Sequence, residues 1–241
     1  MRKHYLFLVI YFLVMGAGLF ICRQFLRTPY DSPHFGQTFL PFTLLLAVMV
    51  VIYGLRYRTS LKMQKADRTT YLYGLLPLLP LAMLAVIAAV ADFSWSTLFL
   101  IPLIDALLVS IAEEGLFRGI ILGGMARHIK PLYALLLSAL LFSALHLLNL
   151  LGGLAPAEVT SQLLSTFMMG LFLGAVYLYT RNLYLPVIFH FVWDYIFLTD
   201  GLSAVSFAPL FFIVTIILEI IIICLLLYKM RRWQAGQPTH T

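Results

Sequence analysis

The chain is a succession of apolar runs, each close to the length a helix needs to cross a bilayer. A spanning helix takes about 20 mostly apolar residues. Read against charged or Pro/Gly breaks, the runs fall near 5–22, 39–55, 71–91, 98–126, 131–149, 160–180, 184–199 and 207–228. The fold expected is all-α: a polytopic transmembrane helical bundle of about eight spans. With 62% hydrophobic and 11% charged residues, a soluble globular domain is excluded, since such domains carry about a quarter charged residues. Residues 1–241 read as a single integral-membrane domain, with no internal repeat, low-complexity tract or soluble domain. Cys22 and Cys224 fall in apolar runs and have no metal-type spacing, so they read as small buried hydrophobes.

The basic residues test the span count. With eight spans, one side collects Arg2, Lys3, Arg56, Arg58, Lys62, Lys65, Arg68, Arg127, Lys130, Arg181, Lys229, Arg231 and Arg232, which is 13 of the 16 Lys and Arg residues. Arg23 and Arg27 lie opposite, and Arg118 lies within the fourth run. The positive-inside rule then places both termini in the cytoplasm. Arg2 and Lys3 before an apolar stretch imitate a signal peptide, but the stretch is too long and no small-x-small site follows, so an uncleaved first span is expected. The net charge of +6 reflects this sidedness. No basic face with interleaved aromatics lies outside the bilayer, so no nucleic-acid partner is expected. Trp95, Tyr133, Tyr184 and Trp233, near run ends, read as interface anchors.

Three runs carry ionisable groups deep inside. The fourth reads SIAEEGLFRGI, with Glu113, Glu114 and Arg118, and has Asp105 upstream. The fifth ends SALLFSALHLLN, with His146 and Asn149, and the seventh reads LYLPVIFHFVWDY, with His190 and Asp194. An ionised group at bilayer depth costs roughly 2.5–3.5 kcal/mol on insertion scales. At about 1.5 Å per residue, Glu113 lies roughly 21 Å from Arg127, His146 roughly 24 Å from Lys130, and His190–Asp194 roughly 14–20 Å from Arg181. Groups at one depth on three helices can converge on one polar cluster.

Spacing divides the glutamates. Neighbours on a helix point about 100° apart, and Glu114 with Arg118 makes an i, i+4 pair in the favourable order. Glu113 is left without a local partner, and a carboxylate in a low-dielectric cavity suits general-base work near neutral pH. His146 and His190 could activate water, bind a metal or donate to an oxyanion. Asp194 could fix the tautomer of His190 or complete a polar wall. The bland alternative is that these groups only glue helices. Asp105, Asn149 and Glu219 read as packing or cavity-lining groups. The fourth run exceeds one crossing, so it is tilted, protrudes or contains a break.

The order E-E-x-x-x-R at Glu113–Arg118, F-x-x-x-H at Phe142–His146 and H-x-x-x-D at His190–Asp194 closely resembles the CPBP family. These are the CAAX prenyl protease and bacteriocin-processing intramembrane proteases, formerly called the Abi family. The similarity spans roughly 98–200, which is taken as the catalytic core. The resemblance implies an endopeptidase in which Glu113 activates water, Glu114 and Arg118 support the site, His146 assists, and His190 with Asp194 stabilises the oxyanion. An Asp donates only when protonated, which favours His190 as the donor.

The family is often described as metalloproteases, and Glu/His/His is an acceptable zinc set. No H-E-x-x-H is present, and a glutamate-activated water requires no metal. The reading is therefore cofactor-free, with zinc as the alternative. The implied partners are the lipid bilayer and a membrane-anchored or lipidated substrate entering laterally between helices. A compact chain of this kind fits a prokaryotic plasma membrane. A second reading is a non-catalytic scaffold or bacteriocin self-immunity factor of the same fold. A third, a proton-coupled carrier, lacks the paired repeats and broken helices typical of transporters.

Overall fold

A computed structural model describes residues 1–58, 68–94 and 96–235. Every regular element among them is helical. Eight helical segments follow the apolar runs: α1 (Arg2–Gln24), α2 (Phe35–Arg56), α3 (Leu72–Ala91), α4 (Thr97–Glu114), α5 (Pro131–Leu145), α6 (Pro156–Thr180), α7 (Tyr184–Leu198) and α8 (Ala208–Ala235). The expected all-α polytopic bundle is what forms. Six of these segments are long and apolar enough to cross a membrane, with α5 counted as Pro131–Gly152. Large apolar side chains such as Leu13, Val90 and Leu164 stand exposed on the outside, as lipid contact requires.

The remaining two segments are irregular. The fourth run does contain a break: α4 passes at Gly115 into a π-helix, Gly115–Leu122, and ends in a short α-turn, Gly123–Met125. The seventh, α7, has only 15 residues. α5 also changes pitch, entering a 3-10 turn at His146–Leu148 before Asn149–Gly152 completes it. Gly153, at φ +100°, closes it in the left-handed region that glycine adopts without strain. Pro77 and Pro80 lie inside α3, Pro102 inside α4 and Pro41 inside α2.

α6 is the central helix: 67% of its 18-residue apolar stretch is buried, against 28% for the corresponding stretches of α2 and of α8. It packs on α5 through small residues. A Cβ on Gly174 would lie 2.5 Å from Leu135 Cδ1, and one on Gly170 3.0 Å from the Ala139 backbone. Small residues four apart let helix backbones approach closely where lipid supplies no hydrophobic drive. Likewise a Cβ on Gly115 would come within 2.6 Å of Val50 Cγ1, so α4 and α2 meet where the π-turn begins.

Met1 lies against Gly124, and Ala126, Arg181 and Lys229 border one cavity, so the N-terminus and the end of α8 share one end of the bundle. Tyr133 and Tyr184 are exposed. Trp95 and the side chain of Trp233 lie outside the described residues.

Candidate active site

The π-turn starts directly after Glu114, a placement that π-helices frequently take at functional sites. Glu113, Glu114 and Arg118 are all buried here. Arg118 Nη1 donates to Glu114 Oε1 at 2.6 Å, so a charge-assisted bond within one helix compensates the buried guanidinium. Its Nη2 reaches the carbonyl of Met169 on α6 at 3.5 Å. The guanidinium carbon also stands 4.3 Å from the centre of the Phe142 ring, within cation–π range.

Phe142 sits between the two histidines, edge-on to His146 and to His190 at 5.3 and 5.9 Å between ring centres. Its carbonyl lies 3.0 Å from His146 Nδ1. A carbonyl can only accept, so Nδ1 carries the proton there and a neutral His146 keeps its lone pair on Nε2. The half-buried His146 stands at the junction of α-helix and 3-10 turn, where the helix ladder of α5 is rebuilt.

His190 joins α7 to α4. Its Nδ1 lies 2.8 Å from Glu114 Oε1, across 76 residues of chain, and its Nε2 lies 3.2 Å from Asp194 Oδ2 one turn along. Spacing alone paired Glu114 only with Arg118; the fold gives the same oxygen a second partner. Asp194 is part-exposed, whereas His190 and Glu114 are buried.

Glu113 stands apart from these bonds. It is buried, and its Oε2 has no hydrogen-bond partner among the described residues. It lines a cavity of about 30 Å³ together with Tyr11 and Met15 of α1, Thr43 of α2, and Val109 and Ala112. That volume has room for a water molecule. Thr43 Oγ1 donates to Asp105 Oδ1 at 3.1 Å, so Asp105, two turns before Glu113, anchors this wall. Asn149 donates through Nδ2 to Gln162 Oε1 at 2.8 Å. Glu219 is buried on α8 and takes no part in the ion pairs of the cluster. Tyr11 and Thr43 escaped the sequence reading because a contact made from a distant helix leaves no local pattern. The hydroxyl of Thr43 at mid-span was the one signal available.

The zinc alternative does not fit this arrangement. Among the described residues no three His, Cys, Asp or Glu side chains are disposed around a common metal position. Both ring nitrogens of His190 are turned to carboxylates, which leaves it no lone pair to offer a cation.

A multi-pass helical membrane protein with a buried Glu–Arg–His cluster, bordered by a part-exposed Asp, is thus the class that fold and site define. Residues 94–196 match the family described as type II CAAX prenyl endopeptidase Rce1-like. This segment holds all three motifs, and the match agrees with the family whose resemblance they carry. No curated protein and no solved structure matches the chain. Helices α1, α2, α3 and α8 lie outside the matched stretch, although α1 and α2 wall the cavity beside Glu113.

Proposed function

We propose that the protein is an intramembrane endopeptidase that hydrolyses a peptide bond in a membrane-anchored or lipid-modified substrate. The observation that carries this reading is the contrast within the glutamate pair. Each has an unpartnered Oε2 among the described residues, but Glu114 is committed through Oε1 to Arg118 and His190, while Glu113 enters no ion pair and borders a cavity with room for water.

In the proposed reaction Glu113 takes a proton from water as its oxygen attacks the scissile carbonyl carbon. His146, through Nε2, helps orient that water. The negative charge that develops on the carbonyl oxygen is met by Nε2–H of His190, which turns to it from the part-exposed Asp194 while Nδ1–H stays on Glu114. Collapse of the intermediate breaks the C–N bond, and the proton held by Glu113 passes to the leaving nitrogen. Every atom is accounted for by water, substrate and these side chains. The supporting role of Glu114 and Arg118 is to hold α4 and α7 in register around the reacting groups. The membrane context proposed is a prokaryotic plasma membrane, with both termini cytoplasmic.

The test compares membrane proteomes of cells carrying wild type or Glu113→Gln, followed by cleavage of any accumulated protein with the purified enzyme. We expect the substrate to accumulate and the variant to stay folded but inactive. Processing of that substrate by Glu113→Gln at the wild-type rate would sink the proposal. A phenotype fully complemented by the variant would point instead to the scaffold or immunity reading.

A further inference from the structure

A second and larger cavity, about 520 Å³, lies at the end of the bundle shared by Met1 and the end of α8. It is bordered by Arg181 and Lys229, by Tyr179, and by the apolar side chains of Pro131, Leu178 and Met230. None of its lining residues belongs to the Glu113 cluster. Its walls come from the ends of α6 and α8 and the start of α5.

The polar parts of this wall are held in place. Tyr179 donates its hydroxyl to the carbonyl of Leu226 at 3.1 Å, fastening α6 to α8. Lys229 donates to the hydroxyl of Tyr73 and stands 4.9 Å from the centre of that ring. Arg181 takes the left-handed position after α6, at φ 53°, and its N–H bonds to Tyr177 at 2.9 Å.

We propose that this cavity binds the headgroup of an anionic phospholipid. Arg181 and Lys229 meet the phosphate, while Leu178, Met230 and Pro131 cover the glycerol and the first acyl carbons. Basic pockets between membrane helices on the side that carries the Lys and Arg excess are where anionic headgroups are recognised. The chain concentrates 13 of its 16 basic residues on one side of the eight-span topology, Arg181 and Lys229 among them. The volume also exceeds what a bare phosphate fills, and the apolar lining gives a free anion no partner. The C-terminal ends of α6 and α8 present carbonyls, whose partial negative charge repels anions. The attraction must therefore come from the two side chains, which makes it open to mutation. A lipid seated here would join α8, outside the family segment, to α5 and α6 within it.

The test uses the full-length protein in neutral detergent, measuring its affinity for dioleoyl phosphatidylglycerol, dioleoyl phosphatidylcholine and inorganic phosphate. With two cations at the site, the anionic lipid should bind about thirtyfold more tightly than the zwitterionic one, and that preference should shrink as salt rises. In Arg181→Asn/Lys229→Gln the preference should disappear while phosphatidylcholine binding is unchanged. Asn tolerates the left-handed backbone, and Lys229→Arg should keep the preference. Equal affinity for the two lipids overturns the proposal, as does a preference that survives the double variant. Inorganic phosphate binding as tightly as phosphatidylglycerol also overturns it, by assigning the cavity to a free anion. Should the double variant misfold, the single Lys229→Gln decides: an unchanged preference and no salt dependence overturns the proposal.

Discussion

Two buried carboxylates, Glu113 on α4 and Glu219 on α8, occupy the same kind of apolar helix and are equally hidden, at 5% and 6% exposure. Each has a carboxylate oxygen with no partner among the described residues. They differ in company. Glu113 adjoins a carboxylate bonded to an arginine and a histidine, and lines a cavity with room for water. Glu219 sits in a continuous helix whose other side chains from Ala208 to Leu227 are apolar apart from Thr215 and Cys224, and no charged group stands beside it there. Burial alone therefore does not set the two apart; the polar neighbourhood of Glu113 does, and the role proposed for it rests on that.

Four substitutions set the two carboxylates and their surroundings apart by experiment. Glu113→Gln should lower kcat the most, by about a thousandfold, the range lost when a general base is removed. An assay on the identified substrate reads this directly. Glu114→Ala leaves Arg118 as an uncompensated buried charge, a change that costs about 3–5 kcal/mol in comparable buried pairs. It should appear as a much lower thermal midpoint in detergent, and an unchanged midpoint would refute the structural role given to that pair. Thr43→Val removes the hydroxyl beside Glu113 and unpairs Asp105. We expect a fall in kcat of about tenfold or less, with the fold retained, because one neutral hydrogen bond contributes about 1 kcal/mol. Glu219→Gln should leave activity within about twofold, as surface and remote changes of this size usually do. If it silenced the protein as Glu113→Gln does, the contrast would fail.

Much of the fold was legible because a bilayer demands long apolar runs, and the run 71–91 is close to helix Leu72–Ala91. What hydropathy does not encode is pitch. The π-turn at Gly115–Leu122 and the 3-10 turn at His146 change which residues share a face without changing how apolar the segment is. Within the site, pairs one turn apart, Glu114–Arg118 and His190–Asp194, could be read from spacing. The bond from His190 to Glu114 could not, since i, i+4 arithmetic sees only partners on one helix. The wall formed by Tyr11 and Thr43 was hidden for the same reason, its residues lying 70 and more positions before Glu113.

The brevity of α7 has a consequence for the membrane itself. Fifteen residues rise only about 22 Å, short of a hydrocarbon layer of about 30 Å. Tyr184, Ile188, Phe197 and Leu198 are exposed along it, so lipid beside this helix meets a hydrophobic mismatch. Such a mismatch is relieved by local thinning of the bilayer, at fractions of a kcal/mol per Å. The helix that carries His190 and Asp194 thereby draws headgroups and water towards the depth of the cluster. Vesicles of graded acyl length would report this as activity that declines in thicker bilayers, and indifference to thickness would count against it.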